Sequence, residues 1–250
     1  MVLAAGKGTR MKSDAPKVAV SLRGKSLLNY VADNLIDAGF QRMVVVVGYR
    51  KEEVMGLMAS YKERDLRVEF AEQTEQLGTA HAVLSASEAL KDYRGPLLVT
   101  NGDMPMIRGE TFRELLNAHQ KNGYNVTVLS AIAENPFGYG RLVRDENGEL
   151  LRVVEEKDAS REEKEIKEIN TGTYVFEAPE IFDLLRGIGT NNNQKEYYLP
   201  DAVELARAGG HRSGSVIVRE SEEALGVNSP DDLRLLEEQL EKFAEGRVGG

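Results

Sequence analysis

Val2-Leu3-Ala4-Ala5-Gly6-Lys7-Gly8-Thr9-Arg10-Met11 opens the chain with a short apolar run that breaks at once into a glycine-rich turn. Glycine lets a backbone come close to an anion and turn its N–H groups toward it, so this pattern reads as a strand feeding a ligand-binding loop. Two known templates fail. A dinucleotide fingerprint requires a third glycine where Met11 stands, and a P-loop requires Gly-Lys after Arg10. Lys7, Arg10, Lys12 and Lys17 nevertheless place four cations within eleven residues. The same residues also read as a loop with a solvated basic edge.

Outward from this stretch, apolar runs and helical periods alternate. Ser26 stands as a cap before Leu27, Leu28, Val31, Leu35 and Ile36, which share one helical face, and Gly39 closes that helix. Met43–Val47 reads as a buried strand, and Val54, Leu57, Met58 and Tyr61 form the next helical face. Arg67–Ala71 alternates as a strand, and Thr79–Leu90 predicts a helix with Thr79 as N-cap. Pro96–Thr100 is a strand running into Asn101-Gly102-Asp103, and Thr111–Gln120 is again helical. The alternation predicts an α/β fold, a mainly parallel mixed sheet flanked by helices.

The second half is less regular. Asn125–Ile132, Arg141–Arg144, Leu151–Glu155, Thr173–Phe176 and Ser215–Val218 read as strands, and Asp145-Glu146-Asn147-Gly148 as a hairpin turn. Ser160–Lys167 is charged all round and reads as a solvated helix or loop. Ser229, Pro230 and then Leu233, Leu236, Leu240 and Phe243 predict a capped amphipathic helix before a glycine-rich tail. The expected division is one two-lobed domain over 1–228, followed by a helix and tail over 229–250.

Composition narrows the chemistry. The 250 residues carry 32 Lys and Arg against 41 Asp and Glu, a formal net charge of −9, which gives no reason to expect nucleic acid as a partner. The absence of Cys removes disulfides, thiolate metal sites and thiol nucleophiles. No stretch approaches the ~20 apolar residues of a membrane span, and the start lacks a signal-peptide pattern. The expectation is a cytoplasmic protein without a membrane partner. His81, His119 and His211 are widely separated, so neither a zinc cluster nor a Ser/His/Asp arrangement assembles, and His119, on an apolar helix face, reads as a packed or capping residue rather than a ligand.

Asp103 ends an apolar strand, and ligands of open α/β sheets lie outside the carboxyl ends of strands. Alone it reads as an Asx-turn residue. The cationic loop is expected at the same sheet edge, however, and one carboxylate beside substrate phosphates suits Mg²⁺. Cations and Mg²⁺ suffice for phosphoryl or nucleotidyl transfer to a nucleophile that is already anionic. A phosphate monoester qualifies, since its second pKa is about 6.

The turn Leu3–Met11, followed by Pro16-Lys17, resembles the signature of the sugar-phosphate nucleotidyltransferases. Further segments extend the resemblance: Gln76-Leu77-Gly78-Thr79-Ala80-His81-Ala82, Gly102-Asp103, Gly138-Tyr139-Gly140-Arg141, Glu155-Glu156-Lys157-Asp158, Glu168-Ile169-Asn170-Thr171-Gly172, Glu196-Tyr197-Tyr198-Leu199-Pro200-Asp201 and Gly226-Val227-Asn228. In that order, from Met1 to about Phe243, they resemble the uridylyltransferase domains of the bacterial uridylyltransferase/acetyltransferases that make UDP-N-acetylglucosamine.

The resemblance implies a Rossmann-like nucleotidyltransferase fold with a smaller sugar-binding lobe. It implies the substrates UTP and N-acetylglucosamine 1-phosphate, with Mg²⁺ as cofactor. Leu3, Ala5 and Gly6 would then line the nucleotide site, and Arg10 and Lys17 would act catalytically on the phosphates. Gln73, Gln76, Gly78 and Thr79 would read uracil, Asp103 and Asn228 would hold the metal, and Gly140, Glu155, Asn170 and Tyr198 would surround the sugar. A UTP- or dTTP-dependent glucose 1-phosphate enzyme and a non-catalytic sugar-nucleotide sensor are the alternatives.

Several positions depart from the family pattern. The first strand has fewer apolar residues than usual before Leu3, Ala19-Val20 replaces a common Leu-His, and Phe137 stands where Thr is common. Asn191–Glu196 is one residue shorter than the usual pattern, with Lys195 at a position where glycine is common. No left-handed β-helix of hexapeptide repeats follows, so no acetyltransferase activity is expected, and a monomer or weak oligomer is.

Overall fold

The computed structural model describes residues 1–8, 14–64, 66–227 and 229–246, with the side chains of 62–63 and 242–246 left aside. Its centre is a nine-stranded mixed sheet. The first strand, β1 (Val2–Ala4), is flanked by β4 (Arg42–Val47) and β6 (Gly95–Asn101), with β5 (Arg67–Glu72) outside β4, and all of these pairs are parallel. On the other side of β6 lies β10 (Glu168–Ala178), antiparallel to β6 and to β7 (Val126–Ile132), and β11 (Ser213–Ile217) closes the edge parallel to β7. A hairpin of β8 (Gly140–Arg144) and β9 (Leu150–Val154) hangs from β10. The predicted mixed sheet is therefore observed, parallel throughout β5–β4–β1–β6 and antiparallel around β10, with the turn at Asp145–Gly148 joining β8 to β9 as its Asn-Gly pair foretold.

Burial on both faces explains why the central strands are nearly all apolar. Met43, Val45 and Val47 of β4 point to one core with Leu28, Val31 and Leu35 of α1 (Leu27–Asp37), Val54 of α2 (Lys51–Leu57), and Phe112 and Leu115 of α4 (Gly109–Asn122). Val44 and Val46 point to the other core, with Ala80 and Val83 of α3 (Thr79–Leu84), Ile181 and Phe182 of α6 (Glu180–Arg186), and Val203 and Ala206 of α7 (Ala202–Ala208). A third cluster joins Leu22 and Leu27 to Val227 and Leu236, so the C-terminal helix α8 (Pro230–Gly246) packs beside the β2–β3 hairpin (Ser21–Leu22, Lys25–Ser26).

Local signals account for most boundaries. The Ser26 hydroxyl accepts from the Asn29 N–H at 3.2 Å at the start of α1. Ser229 does the same for Asp232 at 3.2 Å, and the Asp232 carboxylate accepts the Ser229 N–H at 2.8 Å in return. His119 is fully buried between Thr127 and Glu177, as its apolar helix face suggested.

Other boundaries differ from expectation. The helix expected over Thr79–Leu90 ends at Leu84 and continues as turns, and Gly78 rather than Thr79 is its N-cap, because the Thr79 hydroxyl is bonded to another segment. The strand expected over Thr173–Phe176 runs from Glu168 to Ala178; a register shift at Thr171-Gly172 interrupts the alternation that would have announced it. Of the charged stretch Ser160–Lys167, only α5 (Arg161–Lys164) is helical, capped by Ser160 with Glu163 bonding back. The seven-residue helices α6 and α7 are too short to show a period. Among the described residues, no helix is long and apolar enough to cross a membrane.

Candidate functional site

The carboxyl ends of β1 and β6 lie side by side, because Leu3 pairs with Asn101 and its carbonyl accepts the Gly102 N–H at 2.9 Å. This register brings the glycine turn after Ala5 next to Asp103. Lys17 comes from the 3₁₀ turn that follows the loop, and its ammonium is ion-paired with the Asp103 carboxylate. Both side chains are less than a fifth exposed, so the pair sits in a screened, low-dielectric position.

The facing wall is the segment after β5. The Gln73 N–H donates to the Val47 carbonyl at 2.8 Å, and its side-chain amide donates to the Gly78 carbonyl and meets His81 Nδ1, each at 3.1 Å. The Gln76 amide donates to the Ala5 carbonyl at 2.9 Å, tying this wall to the glycine turn. Between the walls lies an open cavity of about 430 Å³. Leu3, Ala5, Gly6, Lys17, Gln73, Gln76, Gly78, Thr79 and Asp103 all line it. Arg10, Lys12 and Asn228 lie outside the described residues. Asn101 and Glu196 also line the cavity and were not singled out from sequence. Asn101 had a signal, since it stands two residues before Asp103 on the same strand end.

A second group adjoins the first through β10. That strand pairs with β6 over Tyr174–Ala178 and with β8 at Ile169–Asn170, so it changes partner across Thr171-Gly172 at the cavity's edge. Gly140 therefore faces Asn170, and a Cβ at Gly140 would stand 3.3 Å from Glu155 Oε1 and 3.4 Å from Asn170 Cβ. Tyr198 donates to Asp158 Oδ2 at 3.3 Å. The structure thus gathers Gly140, Glu155 and Asn170, with Tyr198 on the neighbouring Asp158.

The electrostatics of this group are unusual. Burial, then the charges of Asp201 and Asp158, push the Glu155 carboxyl up to about 7, with Glu196 adding to the effect and Arg141 opposing it. Burial, then Glu204 and Asp158, raise Asp201 to about 6. Glu196 thus lines the cavity on one side and repels Glu155 on the other.

The two groups are sewn together. The Tyr197 N–H donates to the Leu77 carbonyl at 2.8 Å, the Ala80 N–H to the Tyr197 carbonyl at 2.9 Å, and the Leu199 N–H to the Thr79 hydroxyl at 2.9 Å. Gly78 permits this closeness: it takes φ 118, and a Cβ there would lie 2.6 Å from the Tyr197 carbonyl oxygen. The Asn191–Glu196 loop folds onto the same wall, with Asn193 donating to the Asp158 carboxylate at 2.9 Å and to the Lys157 carbonyl at 2.7 Å. Within it Lys195 takes φ 55, a left-handed conformation that explains why glycine suits the position.

Chemically, the arrangement offers a paired ammonium and carboxylate at a strand end, amides fixed on one wall, and a carboxyl-rich group beside them. Among the described residues, no cluster of three or more His, Cys, Asp or Glu side chains is placed to hold a metal. Asp103 is a single hard oxygen ligand already facing a cation, which fits Mg²⁺ bound through one or two carboxylates and substrate oxygens.

Comparison with known proteins gives a consistent set of similarities. A sequence model of the family described as Nucleotidyl transferase matches residues 1–222. The bifunctional protein GlmU of Syntrophotalea carbinolica is 48% identical over 228 residues, covering 91% of this chain and 48% of the relative. GlmU of Streptococcus thermophilus strain LMD-9 is 44% identical over 244 residues, 97% of this chain and 51% of the relative. The chain spans about half the length of the curated relatives it matches. A crystal structure of UDP-glucose pyrophosphorylase complexed with UDP-glucose superposes with a TM-score of 0.77 at 20% identity, covering 96% of this chain and 97% of that one, and so shares the fold.

Proposed function

The chain belongs to the nucleotidyl transferase family, and from that premise we propose that it transfers a uridylyl group from UTP to N-acetylglucosamine 1-phosphate, releasing pyrophosphate and forming UDP-N-acetylglucosamine. The observation that carries this reading is the joining of two groups by the hydrogen bonds between 77–80 and 197–199: an amide-walled cavity with the Lys17–Asp103 pair, and the carboxyl-rich group at Gly140, Glu155 and Asn170. The first suits a nucleotide and its phosphates, and the second suits the hydroxyl and amide donors of a sugar.

Each residue has work that follows from its chemistry. The Gln73 amide is held by Gly78 and His81 before a base arrives, so little ordering is left for binding. The sugar phosphate is mostly dianionic at neutral pH and attacks the α-phosphorus in line without a strong base. Lys17 leaves Asp103 to neutralise charge developing toward pyrophosphate, with Arg10 assigned the same task by its motif. Asp103, with Asn228 by the motif, would hold Mg²⁺, which when bound supplies charge neutralisation at phosphate oxygens. The Val227 N–H donates to the Asp103 carbonyl at 3.2 Å, which keeps the chain preceding Asn228 beside this carboxylate.

The test is pyrophosphate release with UTP and Mg²⁺, comparing N-acetylglucosamine 1-phosphate, glucosamine 1-phosphate and glucose 1-phosphate. Strong preference for the N-acetyl sugar, abolished by EDTA, is expected. Preference for glucose 1-phosphate would move the chain to the sibling reaction, and binding of UTP without turnover would make it a sensor.

A further inference from the structure

Arg141 and Glu156 stand in the motifs Gly138-Tyr139-Gly140-Arg141 and Glu155-Glu156-Lys157-Asp158, yet neither has a part in the reaction proposed above. Arg141 is 1% exposed. Its guanidinium is ion-paired with Glu156 Oε2 at 2.7 Å, donates to the Tyr139 carbonyl and reaches the Lys164 carbonyl at 3.4 Å, while its Nε has no hydrogen-bond partner. Burying an ion pair with one donor unpaired costs stability that a well-packed apolar residue does not, so packing alone does not account for this arginine. The same Glu156 oxygen accepts the Gly138 N–H at 3.2 Å. The pair thus grips the turn at 136–140 at two points, the Gly138 N–H and the Tyr139 carbonyl, and the Tyr139 N–H closes the turn on the Pro136 carbonyl at 3.2 Å. The second grip bears on the site. The Tyr139 carbonyl and the Gly140 N–H belong to one planar peptide unit, so holding the first sets the direction of the second. Gly140 is opposite Asn170, and a Cβ there would stand 3.3 Å from Glu155 Oε1. Neighbouring residues of a strand face opposite sides, so Arg141 acts on Gly140 through the backbone.

We propose that Arg141, through its pair with Glu156, is a positioning residue of the sugar-phosphate site: it sets the peptide between Tyr139 and Gly140, and with it the placement of Gly140 against Glu155 and Asn170. The role in binding rests on the activity proposed above, whereas the grip on the turn does not. Arginine suits the task because its planar fork spans a carbonyl and a carboxylate at once, which a single ammonium does not.

Arg141→Lys keeps a cation and removes the fork, and Glu156→Gln keeps the shape and removes the charge. In Arg141→Lys the KM for N-acetylglucosamine 1-phosphate should rise about tenfold while the KM for UTP stays within about twofold. Glu156→Gln should show the same selective rise at about threefold or more, and the double variant should show no more than Arg141→Lys alone, since both changes break one contact. A merely structural role lowers the active fraction and leaves both KM values in place, so unchanged KM values, or equal rises for the two substrates, overturn the proposal. If Arg141→Lys does not fold by circular dichroism, Glu156→Gln decides by the same criteria. A second readout needs no substrate: hydrogen exchange of the Gly138 amide, followed by NMR in the substrate-free protein, should quicken by about threefold or more in each folded variant. If the wild type does not use the amino sugar, the activity reading fails, yet that quickening still supports the grip on the turn. Unchanged exchange overturns the grip whatever the activity.

Discussion

Glu155 shows how one residue can trade stability for a task. Its carboxyl rises from an ordinary 4.5 to about 7 because folding buries it among Asp201, Asp158 and Glu196. A carboxyl raised in the folded state binds its proton more tightly there than in the unfolded chain. Its contribution to stability is therefore lost as pH climbs from about 4.5 through about 7. Glu155→Gln should then stabilise the fold by on the order of 3 kcal/mol at pH 8 and by almost nothing at pH 4, while weakening sugar-phosphate binding. Urea denaturation of both proteins at the two pH values checks this, and a gap independent of pH would contradict it. Asp103 and Arg10 should behave differently. Asp103→Asn and Arg10→Ala are each expected to lower kcat by ~10²–10³ with the fold kept, since both remove charge that acts on the reacting phosphates. Circular dichroism beside pyrophosphate release separates that outcome from unfolding, and a near-normal rate in either variant removes its assignment.

Among the elements, the join between the segment 76–80 and the segment 196–199 links the cavity wall to the carboxyl-rich group, and Gly78 is a point of close approach in it. Gly78→Ala would set a methyl against the Tyr197 carbonyl oxygen and hold alanine at φ 118, where strain costs about 1–3 kcal/mol. Because the strain falls on both walls, KM should rise for UTP and for the sugar phosphate together. A rise confined to one substrate would show that the walls move independently. This join also marks where sequence stops informing. β1, β4 and β6 were legible because burial on both faces writes a continuous apolar run, and α1 because Ser26 and Gly39 bracket its stripe. The first part of β10 was not: Asn170, Thr171 and Gly172 are polar or small where the strand shifts register and changes partner, and such residues look like a loop. Thr79 looked like a cap, yet its hydroxyl is occupied by Leu199, 120 positions away. Long-range partners of that kind leave no local pattern. The rest of the cavity lining was more legible than Glu196, whose place depends on a loop folding back across the cavity.

At the scale of the whole molecule, the C-terminal helix is the part whose role is least local. Leu236 is fully buried against Leu22, Leu27 and Val227, and Val227 donates its N–H to the Asp103 carbonyl at 3.2 Å. The helix thus packs against Val227, and Val227 is bonded to Asp103 in the turn that follows β6. The helix is therefore expected to matter for turnover through Val227. Leu236→Ala should destabilise the fold by about 2–5 kcal/mol through the cavity it leaves. Its effect on chemistry should appear as a weaker apparent affinity for Mg²⁺ at temperatures where the variant is fully folded, because the backbone beside Asp103 loses its support. Titrating Mg²⁺ in the pyrophosphate-release assay, with folding followed by circular dichroism at the same temperature, decides the matter. Loss of stability with an unchanged Mg²⁺ dependence would reduce the helix to a cover over the third apolar cluster.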